Sequence, residues 1–297
     1  MDRPSVAELA ALRRCVFGVA VLHDLALEPG LHGDTLHGAQ PLDFSWQQVH
    51  IALGGHAPES ATGRRRVAEL IRLRWMAQVL PPGLLRAAVT VVGCPADAPM
   101  HPGPDWPVLR VPGDSLHLGV AVAGLGGHAI GTDGPRATGD GSAAGPVPVS
   151  VEALEAVGIA VPSRWTELLG HLEAAGRTAG RAAAAAAAGA ETPAGHRRRP
   201  AGATLRPSGG FDVVTLLGSA SLRLALTQDS GGMAGLVVPM RTRGWVASSL
   251  LDPAFGPAAF RITEPEDRGF ARPLLVTADE VSQVVAGGDP ARHLFER

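Results

Sequence analysis

Three groups of residues in this chain have the types that chemistry requires. The first is His32, Asp34 and His37 in a glycine-containing loop, with His23-Asp24 before it and His50 and His56 after it. Neutral imidazoles and a carboxylate can ligate Zn²⁺ or another divalent ion. Their spacing matches no helical metal pair such as H-E-x-x-H, and solvated loop histidines are the competing reading. The second group is Gly218-Ser219, which follows an apolar run. If that run is a strand and a helix follows the turn, the turn offers backbone N–H groups to an anion. Arg241 and Arg243, at the end of the next apolar run, would then reach the same place in a parallel sheet. An ordinary turn and two solvated arginines are the alternative. The third is Ser115 in Gly113-Asp114-Ser115-Leu116. Its hydroxyl is a nucleophile if a base is brought to it, and otherwise the first residue of a strand.

Gly113-Asp114-Ser115-Leu116 resembles the nucleophile block of the GDSL hydrolases. The resemblance implies ester hydrolysis with Ser115 as nucleophile and a distant Asp and His completing a triad. The chain departs from that family in three ways. Its block lies more than a third of the way along, the family's oxyanion Asn has no counterpart, and Asp289 and His293 stand four apart where the family has three. A second pattern, Gly124-Leu125-Gly126-Gly127-His128-Ala129 after Val120 to Ala123, fits a strand followed by G-x-G-x-x-A. The stretch that follows, Gly131 to Pro148, does not read as the helix that must hold a pyrophosphate. His23-Asp24 is similar to the dipeptide of HD-type phosphohydrolases, whose motif also needs an earlier His. The strings within Arg241 to Val281 resemble segments of proteins from GC-rich bacteria and imply no activity.

Composition excludes more than it suggests. The chain has 297 residues, a net charge of −2 and no Lys, Asn or Tyr. Without Lys there is no Schiff-base lysine, so pyridoxal phosphate held through such a linkage is excluded, as is a Walker A lysine. The near-neutral balance argues against nucleic acid as a partner and against an anionic membrane. Arg197-Arg198-Arg199 has no aromatic interleaving, so it reads as a solubilising linker. Cys15 and Cys94 form no framework and are expected as reduced, buried residues. No apolar run near the N-terminus is long enough to span a bilayer, and a cytoplasmic location is expected.

The elements that would position these groups follow from caps and periodicity. Ser5 and Glu8 form a capping box for a helix expected to reach about Leu27. Leu31 to Pro41 reads as a loop. Ser45 and Gln48 form a second box, stapled by Phe44 and Val49 and ended by Gly54. A third helix is expected over Arg64 to Leu80, with an Arg65–Glu69 pair. The Arg64-Arg65-Arg66 triplet at its start reads as solvated, with a phosphate partner as the sharper alternative. Ala88 to Gly93 and Leu116 to Ala123 read as strands around a Pro-rich loop that contains Trp106. Ser150 and Ser163 start two helices, and Ala182 to Ala188 prolong the second.

In the C-terminal part, Phe211 to Leu217, Leu236 to Pro239 and Pro273 to Val276 read as strands. Leu222 to Gln228 fits a helix or a strand, and its Leu, Ala, Arg and Gln favour a helix within a βαβ unit. Thr277 and Glu280 read as a third capping box, for a helix running to Gly287-Gly288.

The expected fold is mixed α/β, α+β overall. A helix-rich part over 1–190 carries a flexible insertion at about 126–148. A linker covers 191–210, and a small α/β unit covers 211–297. The two parts could pack as one domain. The expected function is that of a non-catalytic binding or accessory protein, for a protein or a small anionic ligand. A hydrolase, serine-based at Ser115 or metal-dependent at His32, Asp34 and His37, is the alternative.

Overall fold

The computed structural model describes residues 5–22, 24–38, 41–80, 83–125, 145–189, 204–246 and 255–284. Among them are nine α-helices and three antiparallel sheets, so the fold is mixed α and β. The chain divides into two compact units. One comprises residues 1–90, 102–106 and 119–166, and the other comprises 91–101, 107–118 and 167–297.

The first unit begins with α1 (Val6–Leu22). Its capping box is formed: the Ser5 N–H donates to Glu8 Oε2 at 2.7 Å, and the Glu8 N–H donates to Ser5 Oγ at 3.2 Å. The helix ends at Leu22, short of the expected Leu27. Asp24 takes a left-handed φ of 58°, and the N–H groups of Asp24 and Leu25 bond back to the carbonyls of Val21 and Ala20. This is a Schellman stop with buried Leu25 at its apolar position. The periodicity ran on through Leu25 and Leu27, but a left-handed residue ends a helix whatever follows it.

The loop expected over Leu31 to Pro41 is instead part of a meander of β1 (Ala26–Pro29), β2 (Gly33–His37) and β3 (Pro41–Ser45). In β2 the inward positions are Asp34 and Leu36, and in β3 they are Leu42 and Phe44. A buried carboxylate in the inward register hid the alternation. Next comes α2 (Trp46–Leu53), with Ser45 and Gln48 bonded reciprocally and Gly54 left-handed at its end. Helix α3 (Ala61–Val79) starts one cap earlier than expected, at Ser60. Helices α4 (Leu84–Ala88) and α5 (Val151–Ala156) follow, α5 capped by Ser150 as expected. Buried residues of α1, α2, α3 and β3 form one core, including Val16, Val49, Leu70, Ile71 and Phe44.

A second sheet has the order β4 (Val89–Pro95), β6 (Leu116–Val122), β5 (Leu109–Val111), with β7 (Val147–Pro148) also on β6. Strand β5 lies in the Pro-rich stretch read as loop. Residues 126–144 of the expected insertion lie outside the described residues. Helix α6 (Pro162–Gly189) takes in all seven alanines, as the propensity of Ala predicts.

The second unit carries a five-stranded sheet in the order β12-β11-β9-β10-β8. Its strands are β8 (Thr204–Leu205), β9 (Met233–Met240), β10 (Arg243–Val246), β11 (Leu274–Thr277) and β12 (Val281–Gln283). Thus the end of the stretch read as linker is a strand, and residues 191–203 lie outside the described residues.

Three expectations are corrected here. Phe211 to Leu217 is no strand: Asp212 accepts from the Thr215 N–H at 2.7 Å and opens the short helix α7 (Val213–Leu216). All four α7 residues are buried, and a short apolar run covered on every side has no period to read. Helix α8 (Ala220–Thr227) is present as favoured, but no βαβ unit surrounds it, because β9 pairs antiparallel with both β10 and β11. Thr277 and Glu280 open no helix. Thr277 Oγ1 does accept from the Glu280 N–H at 3.0 Å, but the Thr277 N–H bonds to the Glu280 carbonyl and closes the β11–β12 hairpin. The expected end of that helix, Gly287-Gly288, lies outside the described residues.

One face of β9 carries Val238, which lines the space beside Gly244 together with Val213 of α7. The other face carries Val237, against which Gly256 of α9 (Phe255–Ile262) packs.

Candidate functional site

His32, just before β2, and Asp34 and His37 on it are held apart. Asp34 points inward, its side chain fully buried, and accepts from Arg13 Nη2 at 3.1 Å, Arg13 Nε at 3.3 Å and the Gly30 N–H at 3.1 Å. The Arg13 guanidinium also lies over the Trp46 ring, 5.3 Å from its centre. Asp34 is thus the internal counterion of α1. His37 lies three residues on, at an outward position, and its Nε2 is 2.8 Å from Glu28 Oε2. His32 lines an open cleft of about 400 Å³ bounded by Gly30 to Thr35, Asp43 to Ser45, Gln48 and Arg74. Among the described residues no group of three or more His, Cys, Asp or Glu is placed to hold a metal.

Ser115, in the second unit, immediately precedes β6. Its Oγ donates to the Gly113 carbonyl at 3.2 Å and accepts from the Gln283 N–H at 2.8 Å. Gln283 Nε2 in turn donates to Asp97 at 3.0 Å. The hydroxyl therefore joins the turn before β6 to strand β12. Asp114 beside it holds a left-handed φ of 50°, which makes Gly113-Asp114 a tight turn. The residues for a triad read from sequence, Asp289 and His293, lie outside the described residues.

The Gly218-Ser219 turn does bind a carboxylate, and it comes from the chain itself. Glu173 of α6 accepts from Ser219 Oγ at 2.9 Å, the Ala220 N–H at 2.8 Å and the Ser221 N–H at 2.9 Å. The positive end of α8 is thereby filled. Burial alone would raise the Glu173 carboxyl. The hydrogen bonds from Ser221, Ala220 and Ser219 outweigh it and hold the group below its ordinary value. A Cβ at Gly218 would lie 2.7 Å from the buried Leu118 side chain, which would have to shift.

Arg241 does not serve that turn. Its Nη1 bonds to Asp212 Oδ2 at 2.8 Å and the Gly93 carbonyl at 3.0 Å, which ties α7 to β4. Arg243 extends over the Trp245 ring at 6.0 Å. In the Arg64 to Arg66 triplet, Arg65 forms the expected pair with Glu69 at 3.4 Å. Arg66 is buried, which the sequence did not suggest, and donates to the Leu53 carbonyl.

Because Glu173 is held low, its contribution is present above the ordinary carboxylate range and is lost as pH falls through its lowered value. Glu173→Ala is expected to cost about 1–2 kcal/mol at pH 7, partly offset by water at this half-exposed group. The difference from wild type should shrink as pH falls below the ordinary carboxylate range. Urea melts at pH 7 and pH 3.5 read both; a pH-independent difference would count against the charge.

Cys15 and Cys94 are buried and reduced, and desolvation pushes both thiols up to about 11. A thiol so far above neutrality supplies little thiolate. The remaining motif residues, Gly126 to Ala129 and Arg197 to Arg199, lie outside the described residues.

Two arrangements escaped the sequence. Glu173 stands 46 residues from Ser219, and no local pattern joins them. His101 and His117 also meet, with Nε2 of one 2.9 Å from Nδ1 of the other. Their separation of 16 residues matches no motif.

No family model, no curated protein and no solved structure matches this chain.

Proposed function

We propose that this protein is a non-catalytic binding or accessory protein that docks an apolar protein surface on α1. The observation that carries this reading is the outer face of that helix. Val6, Ala10, Phe17 and Val21 lie along one stripe, and Leu22 adjoins it. Phe17 is 55% exposed, Val21 58% and Leu22 79%. Large apolar groups that share an exposed helix face mark interaction surfaces more often than scattered ones do. Arg14, paired with Glu59 at 3.3 Å, lies in the stripe, and Arg13, paired with Asp34, borders it. Gly18 leaves open space between the larger side chains.

The occupant proposed for this face is a second copy of the chain. A two-fold arrangement would set Phe17 and Val21 of one helix against the same residues of its mate, apolar against apolar. Light scattering after size exclusion, at tens of micromolar, should give a dimer mass for wild type. Phe17→Glu with Val21→Glu should give a monomer with unchanged circular dichroism, since neither side chain is buried. A wild type that runs as a monomer would overturn self-docking. A fluorophosphonate serine probe tests the competing hydrolase reading: labelling lost in Ser115→Ala would replace the binding reading with catalysis.

A further inference from the structure

We propose that His101 and His117 form an open two-histidine clasp for a divalent first-row transition ion, Zn²⁺ or Ni²⁺. Both residues belong to the second unit. His117 stands on β6 and His101 on the loop after β4. Nε2 of His101 and Nδ1 of His117 face each other at 2.9 Å, with ring centres 5.0 Å apart and planes at 75°. One proton can lie between two such nitrogens, and a metal ion can take its place.

The distance decides what fits. With metal–nitrogen bonds of roughly 2.0–2.1 Å, nitrogens 2.9 Å apart subtend about 90° at the ion, the angle of tetragonal sites. Tilting both rings to open the pair by roughly 0.4 Å reaches the tetrahedral angle preferred by zinc. Imidazole is a borderline donor, which selects Zn²⁺, Ni²⁺ or Cu²⁺ over Mg²⁺ and Ca²⁺. Among the described residues no third His, Cys, Asp or Glu joins the pair.

The surroundings cut both ways. Arg110 pairs with His117 across β5 and β6 and opposes a cation, while Asp114 favours one. Burial and Arg110 keep His117 below its ordinary value. The clasp would join the loop after β4 to β6, and its occupancy would stabilise the folded chain by mass action.

The test is calorimetric titration of Zn²⁺ into the full chain at pH 7.5, with His56→Ala as a control in the other unit. The expected result is one site per chain, retained in His56→Ala and weakened at least tenfold in His101→Ala and in His117→Ala. Lowering the pH to 5.5 should weaken it in wild type, because protons then compete. Diethyl pyrocarbonate footprinting of wild type needs no variant: Zn²⁺ should protect His101 and His117 but not His56. Wild type that takes up no Zn²⁺ at 100 μM, or variants that keep full stoichiometry, or rings equally modified with and without metal, would each overturn the clasp.

Discussion

Trp106→Ala should be the most damaging single truncation, lowering the stability of the folded chain by about 3–5 kcal/mol. The indole is 2% exposed, although it lies in a Pro-rich stretch with little regular structure. Its Nε1–H donates to the Val120 carbonyl at 3.1 Å; that carbonyl also accepts from the Val149 N–H, so the loss on removal is chiefly one of packing. The slot exists because position 119 has no side chain: a Cβ there would lie 2.4 Å from the indole. Gly119→Ala should therefore reproduce much of the loss from the opposite side. In a urea denaturation series both variants should have lower midpoints, and the double variant should lose less than the sum, since both act on one contact. Additive losses would mean that the ring and the glycine do not share that slot.

The second large effect is expected at Arg66. It is 1% exposed, and Nη1 bonds to the Leu53 carbonyl at 3.0 Å and lies 3.3 Å from Glu152. Its guanidinium closes the end of α2 and reaches α5, while Gly54 leaves room for it, since a Cβ there would meet Nη1 at 2.1 Å. Deleting one partner of a buried pair leaves the other uncompensated. The Glu152 side chain is 33% exposed and can recruit water, so Arg66→Ala should fall at the lower end of such losses, about 3 kcal/mol. Arg66→Met keeps the volume and should cost less, and adding Glu152→Gln should recover part of the rest. Thermal melts of the three variants separate packing from charge. A loss under about 1 kcal/mol in Arg66→Ala would show that the pair contributes little.

What was legible in the sequence was what is local. The Ser5–Glu8 and Ser45–Gln48 boxes, the Arg65–Glu69 pair and the alanine extension of α6 depend on residues within one helical turn, so their physics is written in adjacent positions. Thr277–Glu280 marks the limit of that logic. The hydroxyl accepts the same N–H in a hairpin turn as in a helix cap, so the dipole pattern cannot tell one from the other. Asp34 failed for a different reason: an inward carboxylate reads as an outward polar residue until Arg13, 21 positions away, is known to meet it. The candidate anion turn was half legible. A helix start at Ser219 could be read from sequence, but the carboxylate that fills it could not.

The second unit also has a history in time. Ser115 waits for Gln283, 168 residues later, and the Gly93 N–H waits for Thr215, 122 residues later. At a synthesis rate of roughly 5–20 residues per second, the gap between Ser115 and Gln283 lasts about 8–34 s. Throughout that interval β5 and the start of β6 have been made while much of the unit they belong to has not. Strands β4 to β7 can pair among themselves in that interval, but the link from Ser115 to β12 cannot form. The order of the chain thus makes the closure of this unit wait for β12, whereas the meander β1 to β3 can close as soon as Ser45 has left the ribosome.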